Sequence, residues 1–162
     1  MPKIAEALVE RKALQDRLNR VNARLVANAK VQEGDRPSEP PSELLEEGRR
    51  ILLDIKQLTM QINRTNIQTP LPGTVGETVD GTVSITEAIA ERDRLAAERT
   101  MLEHLGNAAR FSPGYNSRNE IKWLATVDVA DVQKQIDAVS QSYRLLDTRI
   151  QEANWLTELI QD

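Results

Sequence analysis

Cysteine is absent from the 162 residues, which excludes disulfides, thiolate metal ligands and thiol nucleophiles together. Histidine occurs once, as His104. A His-rich metal site within one subunit is therefore excluded, and a Ser-His-Asp triad has a single candidate base. Aromatic residues make up 3% of a chain that is 40% hydrophobic, so any core must be built from Leu, Ile, Val and Ala. No stretch approaches the ~18 consecutive apolar residues of a membrane span. The start, Met1-Pro2-Lys3-Ile4-Ala5-Glu6, lacks the apolar run of a secretion signal. A Gly-rich phosphate loop, Gly-x-Ser-x-Gly and Cys-x-x-Cys are missing as well. These absences predict a cytoplasmic protein with no metal and no cofactor, and they remove the most familiar enzyme chemistries.

Charge points the same way. Acidic residues outnumber basic ones, giving a net charge of -4, the wrong sign for coating a phosphate backbone, so no nucleic-acid partner is expected. Lys3, Arg11, Lys12, Arg17, Arg20, Arg24 and Lys30 make residues 1–30 net basic, whereas Glu33, Asp35, Glu39, Glu43, Glu46 and Glu47 make the next stretch acidic. Neighbouring segments of opposite sign are expected to satisfy each other or water.

What the chain does contain is a repeat. Ile4-Ala5-Glu6-Ala7-Leu8-Val9-Glu10-Arg11-Lys12-Ala13-Leu14 aligns with Ile85-Thr86-Glu87-Ala88-Ile89-Ala90-Glu91-Arg92-Asp93-Arg94-Leu95. Ile4/Ile85, Glu6/Glu87, Ala7/Ala88, Glu10/Glu91, Arg11/Arg92 and Leu14/Leu95 are identical, where chance supplies about one match. A weaker echo sets Leu58, Ile62, Asn66 and Thr69 against Leu146, Ile150, Asn154 and Thr157. The 162 residues thus read as one domain built from two α-hairpins, 3–69 and 85–161, with inserts at 70–84 and 111–127.

Hydrophobic periodicity supports four long helices, near 3–31, 42–68, 85–110 and 128–161. The first carries Ile4, Ala7, Leu14, Leu18, Val21 and Leu25 on one stripe, broken at Arg11 and Asn28. The second carries Leu44, Ile51, Ile55, Leu58 and Ile62, flanked by Gly48 and Asn66. The third repeats the first through Ile85, Ala88, Leu95 and Leu102, and the fourth runs through Val132, Ile136, Val139, Tyr143, Leu146 and Ile150, then Leu156, Leu159 and Ile160. Narrow stripes sustained over several heptads predict a mainly α fold, a four-helix, coiled-coil-like bundle. Pro37, Pro40 and Pro41 break the chain before the second helix, with Ser42 as its expected N-cap. Ser84 with Glu87 makes a capping box for the third helix, and Asp128 caps the fourth.

The inserts hold short β-like segments. Asp80-Gly81 between Thr-Val pairs is a hairpin signal. Ile121, Trp123, Ala125 and Val127 alternate onto one face, although Ser117 and Glu120 also allow a helical turn there. Long loops that carry apolar residues suit contacts between subunits, and Trp123 and Trp155 are the candidate anchors of a homo-oligomer.

Folding each hairpin places Arg11 near Ile62 to Asn66 and Arg92 near Ile150 to Asn154. Such a polar layer fixes helix register, or it forms a site in which Arg11 and Arg92 hold a small anionic ligand with Asn63, Asn66 and Asn154. Glu6 with Glu10, and Glu87 with Glu91, lie four apart on one face, but no Glu-x-x-His accompanies them, and Glu6 and Glu87 suit the positive ends of their helices. His104 has no nucleophile beside it and reads as an ordinary helix residue.

Four separated motifs, Ala29-Lys30-Val31-Gln32-Glu33-Gly34-Asp35-Arg36-Pro37, Gln61-Ile62-Asn63-Arg64-Thr65-Asn66, Glu120-Ile121-Lys122-Trp123 with Thr126-Val127-Asp128-Val129, and Leu146 to Trp155, resemble a family of small bacterial long-helix proteins often labelled septicolysin. The resemblance implies a homo-oligomer and carries no catalytic residues. Its label implies a cytolysin, whereas the residues show neither a spanning helix nor strands alternating for about ten residues. The sequence therefore predicts a non-catalytic, self-associating helical protein. The alternatives are a ligand-binding protein or enzyme using the Arg/Asn layer, and a membrane-active protein.

Overall fold

The computed structural model describes residues 1–76, 83–110 and 123–161. Four α-helices dominate it: α1 (Ile4–Ala27), α2 (Pro41–Gln68), α3 (Ile85–Arg110) and α4 (Val129–Leu156). The chain divides into two compact units. One comprises Met1–Thr69 together with the chain from Glu152 onward, and the other comprises Pro70–Gln151. We call them unit 1 and unit 2.

The helix starts follow local chemistry. The Lys3 backbone N–H donates to Glu6 Oε2 at 2.7 Å, and the Ser84 N–H donates to Glu87 Oε2 at the same distance. Glu6 and Glu87 thus satisfy backbone donors at equivalent helix ends, and this explains why both repeats keep a glutamate there. The Glu87 N–H also donates to Ser84 Oγ, which completes the expected capping box. Asp128 caps α4 by accepting from the Ala130 N–H at 2.9 Å.

Two boundaries differ from expectation. Helix α2 begins at Pro41, with Pro40 rather than Ser42 at the N-cap, because a fixed φ and a missing N–H suit proline to the first helical position. Helix α1 ends at Ala27 rather than near 31. Asn28 leaves the helix, donates its side-chain amide to the Arg24 carbonyl and accepts from the Glu39 N–H at 3.1 Å. An asparagine that bridges the two ends of a loop favours the turn over another helical residue.

In unit 1, Val21, Leu44 and Ile51 form the buried seam between α1 and α2, with Leu14, Leu18, Leu25 and Ile55 packed around it. In unit 2, Leu102, Val132 and Ile136 join the end of α3 to the start of α4, with Val127 and Val139 beside them. The predicted stripes are therefore the packed faces, and the scarcity of aromatics is met by aliphatic interdigitation. Across α1 and α2, Arg24 pairs with Glu39 and Glu47, and Arg17 with Glu47 at 3.0 Å. Arg17 and Arg24 of the basic segment thus pair with Glu39 and Glu47 of the acidic one, while Lys3 pairs with Glu158 and Lys12 with Asp16.

Among the described residues no strand forms. The Asp80-Gly81 turn and residues 117–122 lie outside them. Trp123 to Val127 run as irregular chain with a bend at Thr126 and Val127, so that part of the alternation does not make a strand. Strand-like pairing occurs instead as two isolated antiparallel bridges, Pro70 with Ser84 and Lys3 with Glu158.

The second bridge corrects the end of the fourth helix. Helix α4 stops at Leu156, not near 161, and the residues after it belong to unit 1. There Leu159 N–H donates to the Pro2 carbonyl at 2.8 Å, and Ile4 N–H to the Thr157 carbonyl at 3.1 Å. Leu156, expected on the buried stripe, is exposed, while Leu159 is buried from an extended segment rather than from a helix.

Candidate functional site

The predicted polar layer divides between the units. Arg11, Asn63, Asn66 and Asn154 belong to unit 1, and Arg92 belongs to unit 2. Arg92 Nη1 meets Asp147 on α4 at 3.0 Å, and its other nitrogens meet Asp93. Burial opposes its charge, but the two carboxylates outweigh that and hold the guanidinium's pKa above its usual value. Arg92 is thus neutralised within the protein. The position equivalent to Asp147 in the first repeat is Thr59, and no carboxylate of the described residues lies within salt-bridge distance of Arg11. Asp147 is a partner that the repeat alone could not supply, because the first repeat has no acid there.

Asn66 and Asn154 are buried, and the Asn66 Oδ1 has no hydrogen-bond partner. Asn63 faces solvent on α2. Beside Asn66, Thr65 is fully buried; its Oγ1 donates to the Gln61 carbonyl and accepts from the Ile160 N–H at 3.0 Å. His104 is exposed on α3. No cluster of His, Asp or Glu suited to a metal occurs among the described residues. Trp123 and Trp155 are 81% and 61% exposed, so neither anchors a core within the chain.

Unit 2 holds a groove of about 890 Å³ lined by residues of α3, of α4 and of the segment Thr74 to Gly76. The segment Pro72 to Gly76 crosses it as a strap. Arg149 of α4 donates to the Pro72 carbonyl and, at 2.6 Å, to the Thr74 carbonyl. Gly73 lies against that guanidinium and Gly76 against the Glu91 carboxyl, both with positive φ. Val75, between them, is buried and lines the groove with Leu95 and Leu146. Glu91 accepts two bonds from Arg94 at 2.8 and 2.9 Å, which hold its pKa below the ordinary glutamate value. The strap therefore reaches from a cation on α4 to a neutralised acid on α3, with one apolar side chain inserted between. The sequence marks 70–84 as an insert between the hairpins but carries no signal that Arg149 holds it.

The chain is similar to a solved protein described as a functionally unknown conserved protein from Corynebacterium diphtheriae. The two are 36% identical, the match covers 98% of this chain and 99% of the other, and the TM-score is 0.86. No curated protein matches. The model of a family of unknown function (DUF6847) matches residues 11–159, and the chain belongs to that family.

Proposed function

We propose that the protein is a non-catalytic helical interaction protein that self-associates. One observation carries this reading. Helix α2 has a second apolar stripe besides the one buried against α1: Leu45, Leu52, Leu53, Met60 and Ile67 recur about every seven residues, and Leu53, Met60 and Ile67 are all more than half exposed. A soluble helix normally turns charge outward on that side, and an exposed apolar heptad stripe suits a further helix. Arg49, Lys56 and Asn63 alternate with the apolar positions, a pattern that limits which partner registers are favourable. Trp155, equivalent to Ile67 in the repeat, is also exposed and supports the same use of the second repeat.

Sedimentation at micromolar concentration tests the reading. A species heavier than the 18.2 kDa chain is expected, and it should be lost in Leu53→Glu with Met60→Glu. An 18.2 kDa particle at every concentration would overturn the proposal.

The geometry favours anion binding less. Arg92 already serves two acids, so Arg11 is the arginine of the predicted layer with charge to offer. A membrane-active role rests on the septicolysin resemblance alone. Neither the family nor the solved neighbour carries that designation, and among the described residues no helix is long and apolar enough to cross a membrane.

A further inference from the structure

The outer side of α2 is patterned as a palindrome. Leu45, Arg49, Leu52, Lys56, Met60, Asn63 and Ile67 follow one another along it in steps of four, three, four, four, three and four residues, and all seven are exposed. Apolar side chains alternate with polar ones, and Lys56 stands at the midpoint. Reversing the helix about Lys56 therefore lays apolar positions on apolar ones and polar positions on polar ones.

The hairpin itself does not require this stripe. Helix α4 holds the same place in the second repeat, and its equivalents of Leu45, Leu52, Leu53 and Met60 are Gln133, Ser140, Gln141 and Thr148, with an apolar residue kept only at Trp155. A helix of the same hairpin thus packs its inner stripe while its outer side is polar for most of its length. The apolar residues on the outside of α2 accordingly serve a contact beyond the hairpin.

Charge sets the direction in which a second α2 fits. Among the described residues no carboxylate lies within salt-bridge distance of Arg49 or Lys56. Two copies running in the same direction and register would set Arg49 against Arg49 and Lys56 against Lys56, which makes two like-charge layers. Running in opposite directions about Lys56, Arg49 meets Asn63, whose amide oxygen accepts hydrogen bonds, and one like-charge layer remains. The long Lys56 stem lets its ammonium turn to water, and opposed helix dipoles favour the same arrangement.

We propose that the protein forms a two-fold dimer in which α2 packs antiparallel on α2 of a second copy, with the symmetry axis at Lys56. Leu45 packs on the partner's Ile67, Leu52 on the partner's Met60, and Arg49 reaches the partner's Asn63. Each contact occurs twice, as a closed isologous interface requires. Leu53, next to Leu52, widens the apolar strip. Lys56 fixes the register at a cost in affinity, as a single polar residue in an apolar seam does. This rests on the reading that the outer face of α2 self-associates, and adds direction, register and subunit number to it.

The chain has no cysteine, so single-cysteine variants at these exposed positions, treated with a short bis-maleimide linker, report the pairing cleanly. Lys56→Cys should cross-link to itself. Leu45→Cys and Ile67→Cys should each remain unlinked alone, because the axis sets each about 33 Å from its own copy along the helices, and should give a product of twice the chain mass when mixed. Leu45→Cys linking to itself, or a mixture that stays unlinked, would overturn the proposal. Lys56→Leu, which removes the like-charge layer, should tighten the dimer about tenfold, and unchanged or weaker association would refute the placement of the axis. Sedimentation of untreated samples separates the two readings. A dimer without the expected links refutes the antiparallel register and leaves self-association standing, whereas an 18.2 kDa particle throughout refutes both.

Discussion

Gln61 of α2 and Arg149 of α4 occupy the same position of the repeat, and each holds the segment that follows the other's helix. Arg149 binds the carbonyls of Pro72 and Thr74, which come after α2, while Gln61 binds the carbonyl of Gln161, which comes after α4. The bridges obey the same exchange: the segment after α2 pairs with the start of α3, and the segment after α4 with the start of α1.

Arg149→Met removes charge-assisted bonds to two carbonyls and should cost about 1–2 kcal/mol, since the side chain is only half-buried. Gly73→Ala should cost a similar amount, about 1–2 kcal/mol, because φ is +91° and a Cβ would stand 3.0 Å from the Arg149 guanidinium. Urea denaturation of both single variants and the double variant checks this. The double variant should lose less than the sum of the single costs, because the two residues act through one contact.

Leu71 and Leu159 are equivalent residues, each nearly fully buried. Leu71→Ala and Leu159→Ala should each destabilise the chain by about 2–4 kcal/mol through lost burial and a residual cavity. If Leu159→Ala proves neutral in chemical denaturation, the tail's role in the unit 1 core is refuted.

The two helical glycines should respond oppositely. A Cβ at Gly48 would meet Val21 Cγ1 at 3.6 Å, an ordinary contact, whereas one at Gly106 would meet Val132 Cγ1 at 3.3 Å. Gly48→Ala is expected to stabilise by about 0.5–1 kcal/mol from helix propensity. Gly106→Ala should gain nothing or lose stability, as melting temperatures would show.

Stability should fall in acid. Glu39, Glu47, Glu87 and Glu91 all have pKa values below the ordinary 4.5. Hydrogen bonds from Arg24, Arg17, the Ser84 backbone and Arg94, respectively, are the main causes. The unfolded chain then binds more protons than the folded one between the two values. The stabilisation is accordingly present above the ordinary value and lost as pH drops through the depressed ones. Thermal melts should be nearly flat from about pH 7 to about pH 5 and decline below that, with a smaller decline in Glu47→Gln.

Much of the fold was legible because it rests on contacts close in sequence or on period. The stripes through Val21, Ile51, Leu102 and Ile136 are buried as their spacing requires, and Ser84, Glu87 and Asp128 cap as their types require. The polar layer was legible only as positions: Arg92 finds Asp147, an acid with no counterpart at Thr59, so the repeat could not announce it. The strap was not legible as a binding element, since Pro72 to Gly76 has no periodicity and is held by Arg149, far along the chain.

By itself the sequence determined the helices, their buried faces, the duplicated hairpin and the exclusion of thiol and polyhistidine chemistry. These are decided by side-chain type at short range, where propensity, capping and hydrophobic spacing act on neighbours. Only the tertiary structure decided that α4 ends at Leu156, that the following residues join the start of α1, and that Arg149 holds the segment after α2. Those outcomes depend on which distant backbone donors and acceptors meet once the helices have packed. Local preference at Leu159 or Gln161 carries no information about Pro2 or Gln61.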